Sequence, residues 1–257
     1  MVDSAKNVLV QLKKYELCKY CLSRQGQAAK KNVHKCHICR GIFDRLENAV
    51  DKAHALMQQY EFDTFLVGAT LATQLFERED ALRARLKIRG KENIRSQLTR
   101  ELGQRLAKTT GKRVDFARPD LAVNIMIDKD GNIDASAYAR PLVLQGRYTK
   151  RVRGLPQKQE RCPMCQGKGC NLCDNTGFYG DNSVEGILAK NITKVTGGRS
   201  PRFSWVGSED QHSLVLGKGR PFYVKVSDPR IRTPKKRRLS EAGVTATITG
   251  VLDDVPD

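Results

Sequence analysis

The eight cysteines of this chain fall into two sets of four, with none left over. Cys18, Cys21, Cys36 and Cys39 lie in CKYC…CHIC; Cys162, Cys165, Cys170 and Cys173 lie in CPMCQGKGCNLC. A Cys-x-x-Cys pair puts two sulfurs on one tight turn, and two such pairs complete the closed tetrahedral site that structural zinc favours. Each ion ties down a segment with little apolar core of its own. Gly167 and Gly169 let the backbone of the second set fold back around an ion. The competing reading is four disulfides in a secreted protein. Against it, Met1-Val2-Asp3-Ser4 opens a polar, mixed-charge helix with no apolar signal segment. His34 and His37 flank Cys36, so one of them could replace a cysteine; a four-sulfur site is simpler and is preferred. Two structural zinc ions on reduced thiols point to the cytoplasm.

The rest of the composition narrows the partner. The 257 residues carry 46 basic and 28 acidic side chains, a formal charge of +18, with 39% hydrophobic and 29% charged residues. That describes a soluble globular chain of one large or two to three small domains. A charge this high calls for a polyanion, and nucleic acid is the first expectation, since Lys and Arg neutralising phosphates supply most nonspecific affinity. No apolar run approaches the roughly 20 residues of a membrane span, and no basic amphipathic helix with an aromatic apolar face occurs, so no membrane partner is expected.

Periodicity predicts an α+β chain. A helix over 3–17, capped by Asp3 or Ser4, is followed by the first knuckle and by a helix over about 41–60 with Ile42, Leu46, Ala49, Ala53, Leu56 and Tyr60 on one face. Phe62–Ala69 reads as a buried strand, 91–109 as a helix stopped by Gly111, and Leu121–Ile127 as an alternating strand ending in the turn Asp128–Gly131. Strands follow from Asn132 and over Leu142–Tyr148. Beyond the second knuckle, Ser183 caps a short helix, and strands are expected at Phe203–Trp205, Pro221–Val226 and Ala242–Leu252.

A set of motifs in order adds a family resemblance. Gly146-Arg-Tyr-Thr-Lys150, Leu155-Pro-Gln157, the knuckle CPMCQGKGCNLC, Asn175-Thr-Gly177 and Ser183-Val-Glu185 resemble the archaeal tRNA pseudouridine synthases of the "pseudouridine synthase ten" family. Gly207-Ser-Glu-Asp210, Ser213–Gly217 and Gly219-Arg-Pro-Phe222 resemble the same family's central motif. The N-terminal knuckle and the region after it are similar to that family's accessory half, which includes a THUMP domain. The resemblance covers nearly the whole chain and implies three parts: a zinc-binding helical region at 1–60, a THUMP-like RNA-binding domain at 61–145, and a mixed-sheet synthase domain at 146–257 with the knuckle 162–173 inserted. It implies an RNA-modifying isomerase acting on the adjacent T-loop uridines of tRNA (U54/U55), as a monomer and without an organic cofactor.

Pseudouridine formation breaks a uridine's glycosidic bond, turns the base and rejoins it through carbon. It needs a carboxylate beside a flipped-out nucleotide, as nucleophile or as base. The resemblance places Asp210 in that role; by itself the residue is a carboxylate in a Gly-flanked polar turn, equally readable as an ordinary turn acid. Arg220 is expected to hold a phosphate or pair with Asp210. Arg147, Lys150, Arg151 and Arg153 around Tyr148, then Arg232 and Lys235, Lys236, Arg237 and Arg238, then Arg83, Arg85, Lys87, Arg89 and Lys91, are expected to contact RNA, although a charge run is more often a solvated face. Two departures stand out. Ser208, His212 and Leu214 occupy positions where the eukaryotic pattern has Arg, an acid and Arg. Between Arg220 and Asp257 nothing convincingly supplies the stacking aromatic and basic partner that the resemblance implies, Tyr223 being the nearest aromatic, so an incomplete catalytic domain is expected. The alternative function is a non-catalytic zinc- and tRNA-binding THUMP module. A chaperone-like zinc ribbon fails, because CxxCxGxG occurs once where a series is needed.

Overall fold

The computed structural model describes residues 8, 10–12, 14–27, 35–88 and 92–256, which divide into compact units at Met1–Tyr138 and Ala139–Asp257. Asp3, Ser4 and His34 lie outside the described residues.

In the first unit, alternating apolar residues build a four-stranded sheet from β1 (Thr64–Leu71), β2 (Arg113–Val114), β3 (Leu121–Ile127) and β4 (Ile133–Ala139), in the order β2-β1-β3-β4. β1 runs parallel to both β2 and β3, with Phe65 opposite Leu121 and Leu71 opposite Ile127. Parallel neighbours need crossover chain between them, and two helices supply it: α3 (Thr73–Leu86) and α4 (Ile94–Thr110). Asn93 caps α4 by accepting the Ser96 N–H at 2.8 Å, and Gly111 ends it at φ 68°. Leu98, Leu102 and Leu106 are buried along its stripe.

Upstream lie α1 (Lys19–Arg24), inside the first cysteine set, and α2 (Leu46–Met57). The helix expected over about 41–60 is therefore shorter than its periodicity suggested, because Ile42–Arg45 forms a 3₁₀ turn on leaving the knuckle. Helix α3 has no counterpart in the sequence reading. Its stripe of Leu75, Leu82 and Leu86 is interrupted by Glu79, which is 1% exposed. A buried acid hides an apolar face from any pattern of hydrophobicity.

The second unit is a five-stranded sheet in the order β10-β11-β5-β9-β8. Its strands are β5 (Leu142–Lys150), β8 (Arg199–Trp205), β9 (Val215–Ser227), β10 (Arg238–Glu241) and β11 (Val244–Leu252), every neighbouring pair antiparallel. A separate ribbon of β6 (Glu160–Arg161) and β7 (Phe178–Tyr179) closes the base of the second cysteine set. Helix α5 (Val184–Thr196) starts at Ser183, whose Oγ accepts the Gly186 N–H at 2.9 Å. It packs Val184, Leu188 and Ile192 with Leu144, Phe222 and Val224 of the sheet. Among the described residues no helix is long and apolar enough to cross a membrane.

Candidate functional site

Side chains alternate along a strand, and β5 splits the GRYTK motif accordingly. Gly146, Tyr148 and Lys150 are buried; Arg147 points outward. Directly opposite on β9 lies GRPF, with Tyr148 facing Arg220 and Gly146 facing Phe222. Gly146 is required there, since a Cβ would come within 2.6 Å of Phe222 Cζ and 2.9 Å of the Thr247 carbonyl. Gly219, at φ +71°, lies so close to β5 that a Cβ would sit 2.5 Å from the Tyr148 carbonyl. Two motifs far apart in sequence are one piece of structure.

Residues 206–214 join β8 to β9 and carry Asp210. Its Oδ1 accepts the His212 N–H at 2.7 Å and its carbonyl accepts the Ser213 N–H at 3.0 Å, a tight turn that leaves the carboxylate exposed. The neighbouring motifs hold this loop. Arg153 Nη1 donates to the His212 carbonyl at 2.7 Å, Gln157 Nε2 to the Gly207 carbonyl at 3.5 Å, and Arg220 Nη1 to the Ser208 carbonyl at 2.7 Å. Lys150 Nζ donates to the Gln211 carbonyl at 3.2 Å. Glu209 turns the other way, fully enclosed, with Lys150 Nζ at 3.1 Å and Arg220 Nε at 3.6 Å. Arg220 thus pairs with Glu209, not with Asp210.

Two expected RNA contacts need correction. Tyr148 and Lys150 are each 0% exposed, because the two-residue period of β5 sends them inward with Leu142 and Leu144. The Tyr148 hydroxyl accepts a hydrogen bond from Gln157 Nε2 at 3.1 Å, its ring meets Trp205 edge-on at 5.5 Å, and burial pushes its pKa upward. The other cations remain at the surface. Arg147 is exposed while donating to the Lys218 and Gly219 carbonyls at 2.8 and 2.7 Å; Arg151, Lys235, Lys236 and Arg237 are exposed as well. In the first unit Arg83 lies 3.3 Å from Glu79, and Arg89 and Lys91 fall outside the described residues.

Sequence reasoning missed a cleft of about 680 Å³ beside the loop, walled by Lys158, Arg161, Lys168 and Arg202 and floored by Phe178 and Trp205. Arg202 stacks over the Phe178 ring at 5.5 Å. These cations come from three stretches, the basic connection that holds Lys158 and Arg161, the knuckle and β8, so no single charge run gathers them. Glu185 at the edge is the acid among them, and burial raises its pKa although the Gln159 N–H donates to it at 3.0 Å.

All eight cysteines are free thiols. In each set the four sulfurs lie within 4.8 Å of one another, with Cys18–Cys39, Cys162–Cys170, Cys165–Cys173 and Cys170–Cys173 at 3.6 to 3.7 Å. A tetrahedral ion with metal–sulfur bonds of about 2.3 Å spaces its ligands at roughly 3.8 Å, so both sets fit one. Backbone donors face the sulfurs as thiolates require: Gly169 N–H to Cys165 at 3.1 Å, and Cys170 and Gly177 N–H to Cys173 at 3.3 Å. Against the desolvation that would raise it, these two N–H groups help bring the Cys173 thiol down to about 6. His37 meets the Tyr15 ring at a tilt, with centroids 5.2 Å apart, and the four sulfurs of the first set form a group without it.

A family profile described as "Pus10 THUMP domain, archaeal" matches residues 49–128, and one described as "Pus10, C-terminal" matches residues 143–251. The chain is 34% identical over 261 residues to a protein named tRNA pseudouridine synthase Pus10 from Nitrosopumilus maritimus, covering 95% of this chain and 68% of that one. Proteins of the same name from Cenarchaeum symbiosum and Methanothermobacter marburgensis are 38% and 30% identical, over 77% and 93% of this chain and 48% and 64% of theirs.

Proposed function

The chain belongs to the Pus10 family of tRNA pseudouridine synthases, and from that premise we propose that it isomerises uridine to pseudouridine in the T-loop of tRNA, at the adjacent uridines U54 and U55, with Asp210 as the acting carboxylate. One observation carries the reading: GRYTK, LPQ and GRPF converge on the loop that presents Asp210 to solvent. The carboxylate acts on a nucleotide flipped out of its stack, as nucleophile or as base. The glycosidic bond from the ribose to N1 breaks, the base turns, and a bond to C5 replaces it; the C5 proton leaves and N1 gains one, so no redox partner is needed. In this reading residues 1–60 form the first metal-holding region, 61–145 the THUMP-like RNA-binding domain and 146–257 the catalytic domain. Formation of pseudouridine within an unmodified tRNA transcript incubated with the chain tests it, and absence of product at enzyme excess counts against it.

A second reading is a tRNA-binding module without turnover. It draws support from the pairing of Lys150 and Arg220 with Glu209, which turns both cations away from the Asp210 carboxylate.

The tRNA backbone is gripped by Arg147, Arg151 and the run Lys235, Lys236 and Arg237, with Lys158, Arg161, Lys168 and Arg202 lining the cleft. Affinity should therefore fall steeply as salt rises. Replacing Arg147 and Arg151 by Ala should weaken binding and flatten the salt slope by about one for each phosphate no longer neutralised. Filter binding across a salt series reads both; a slope unchanged by the substitutions would remove these two from the interface.

Zinc is the ion we assign to both cysteine sets, where four thiolates suit its borderline-soft character. Elemental analysis should find about two zinc ions per chain, and a value near one would leave one set as plain thiols. Cys170→Ser should disorder 162–173, seen as a loss of exchange protection there, while α2 keeps its protection.

A further inference from the structure

Glu209 and Asp210 are adjacent carboxylates with opposite fates. Asp210 is exposed; the Glu209 side chain is 0% exposed and sits 3.1 Å from Lys150 Nζ, which is itself 0% exposed. Neither Glu209 oxygen has a well-formed hydrogen bond, so ion pairing with Lys150 and, at 3.6 Å, Arg220 answers its charge. The Lys150 ammonium also gathers backbone: the Leu155 carbonyl at 2.8 Å, the Gln211 carbonyl at 3.2 Å and the Asp210 carbonyl at 3.5 Å.

An enclosed ion pair is an expensive way to fill a core. Each ion loses several kcal/mol of hydration, and apolar residues of the same volume often give equal or greater stability. What apolar residues cannot do is draw three carbonyls from two segments onto one point of a rigid strand. Lys150 stands at the end of β5, and its contacts fix the backbone on both sides of the Asp210 carboxylate. Placement to within about 0.5 Å is the tolerance on which such a site depends.

We propose that the Lys150–Glu209 ion pair is the anchor of the Asp210 loop, making both residues positioning residues for the isomerisation. This rests on the reading of Asp210 as the acting carboxylate. Neither residue touches the substrate; both act through the loop backbone.

The test compares Lys150→Met, Glu209→Gln and the double variant Lys150→Met/Glu209→Leu with the unaltered chain and with Asp210→Asn. Turnover on an unmodified tRNA transcript, tRNA affinity, thermal unfolding and amide hydrogen exchange are measured for each. Lys150→Met should lower kcat about 100-fold, the loss that a 1 Å misplacement brings, with tRNA affinity within about twofold of the original. Exchange should quicken at Gln211, His212 and Ser213 and stay unchanged in β9 and β11. The double variant separates positioning from stability: removing both charges should restore thermal unfolding, while kcat stays low and the loop amides stay fast. Recovery of kcat in the double variant, or slow loop exchange in Lys150→Met, overturns the proposal. If turnover is instead indifferent to Asp210→Asn, the catalytic reading of Asp210 fails, and loop exchange still decides whether Lys150 and Glu209 are the anchor.

Discussion

Asp210→Asn should lower pseudouridine formation by about 10³-fold or more, as removal of an attacking group does in other enzymes, while tRNA affinity changes by less than about twofold. The isosteric amide is the informative change. Asn keeps an oxygen that can accept the His212 N–H, the bond that holds residues 210–213 in their turn at 2.7 Å, and Asn is at home in such turns. The loop therefore keeps its shape and only the negative charge disappears. In the proposed reading RNA affinity comes from surface cations on other segments, and removal of one exposed acid should change it little. Single-turnover assays at enzyme excess separate the chemical step from binding. Turnover within tenfold of the original chain would show that another group carries the reaction.

The elements that pattern reasoning found are those whose burial follows a single period. Leu121–Ile127 alternates cleanly, the stripe of α4 repeats every three to four residues, and the cysteine sets show their pairing in their spacing. What stayed hidden depends on chain brought together from afar. Helix α3 escaped notice because its buried face carries Glu79, paired with Arg24 of α1 and with Arg83 one turn on. The inward side of GRYTK escaped because Tyr148 and Lys150 look like surface residues until β5 is flanked by β11 and β9. The cleft beside the second knuckle draws its cations from the connection after β5, from β6, from the knuckle itself and from β8. Only the folded topology joins them. Asp210 lies between these cases: its exposed turn was legible, and alternation along an extended segment sends Glu209 the other way, but the interior seat of Glu209 against Lys150 and Arg220 was not.

Glu79→Ala should destabilise the first unit by about 3–5 kcal/mol, the cost of stranding a buried charge. Arg24 and Glu79 are both 1% exposed and 2.8 Å apart. Burial works against the arginine's charge, yet Cys21 and Glu79 beside it hold its pKa above the ordinary value. The guanidinium spans three elements: Nε donates to Glu79 on α3 at 2.8 Å, Nη1 to Gln97 on α4 at 2.6 Å, and Nη2 to the Cys21 sulfur at 3.4 Å. Glu79 in turn accepts the Ile94 N–H at the start of α4 at 2.8 Å, and Gln25 Nε2 at 3.2 Å. Alanine would leave Arg24 charged without its acid and Ile94 without its acceptor, whereas Glu79→Gln keeps an acceptor for the Ile94 N–H and should cost less. Helices α1 to α4 lie in this unit and only α5 in the other, so far-ultraviolet circular dichroism during urea unfolding follows it directly. The midpoint should fall with little change in slope. Because the same guanidinium donates to a sulfur of the first cysteine set, the zinc proposed there should pass to a chelator faster from Glu79→Ala than from the original chain. A stability change of less than about 0.5 kcal/mol would mean that water or a shifted side chain answers the Arg24 charge, and that the pair does not tie the knuckle to α3 and α4.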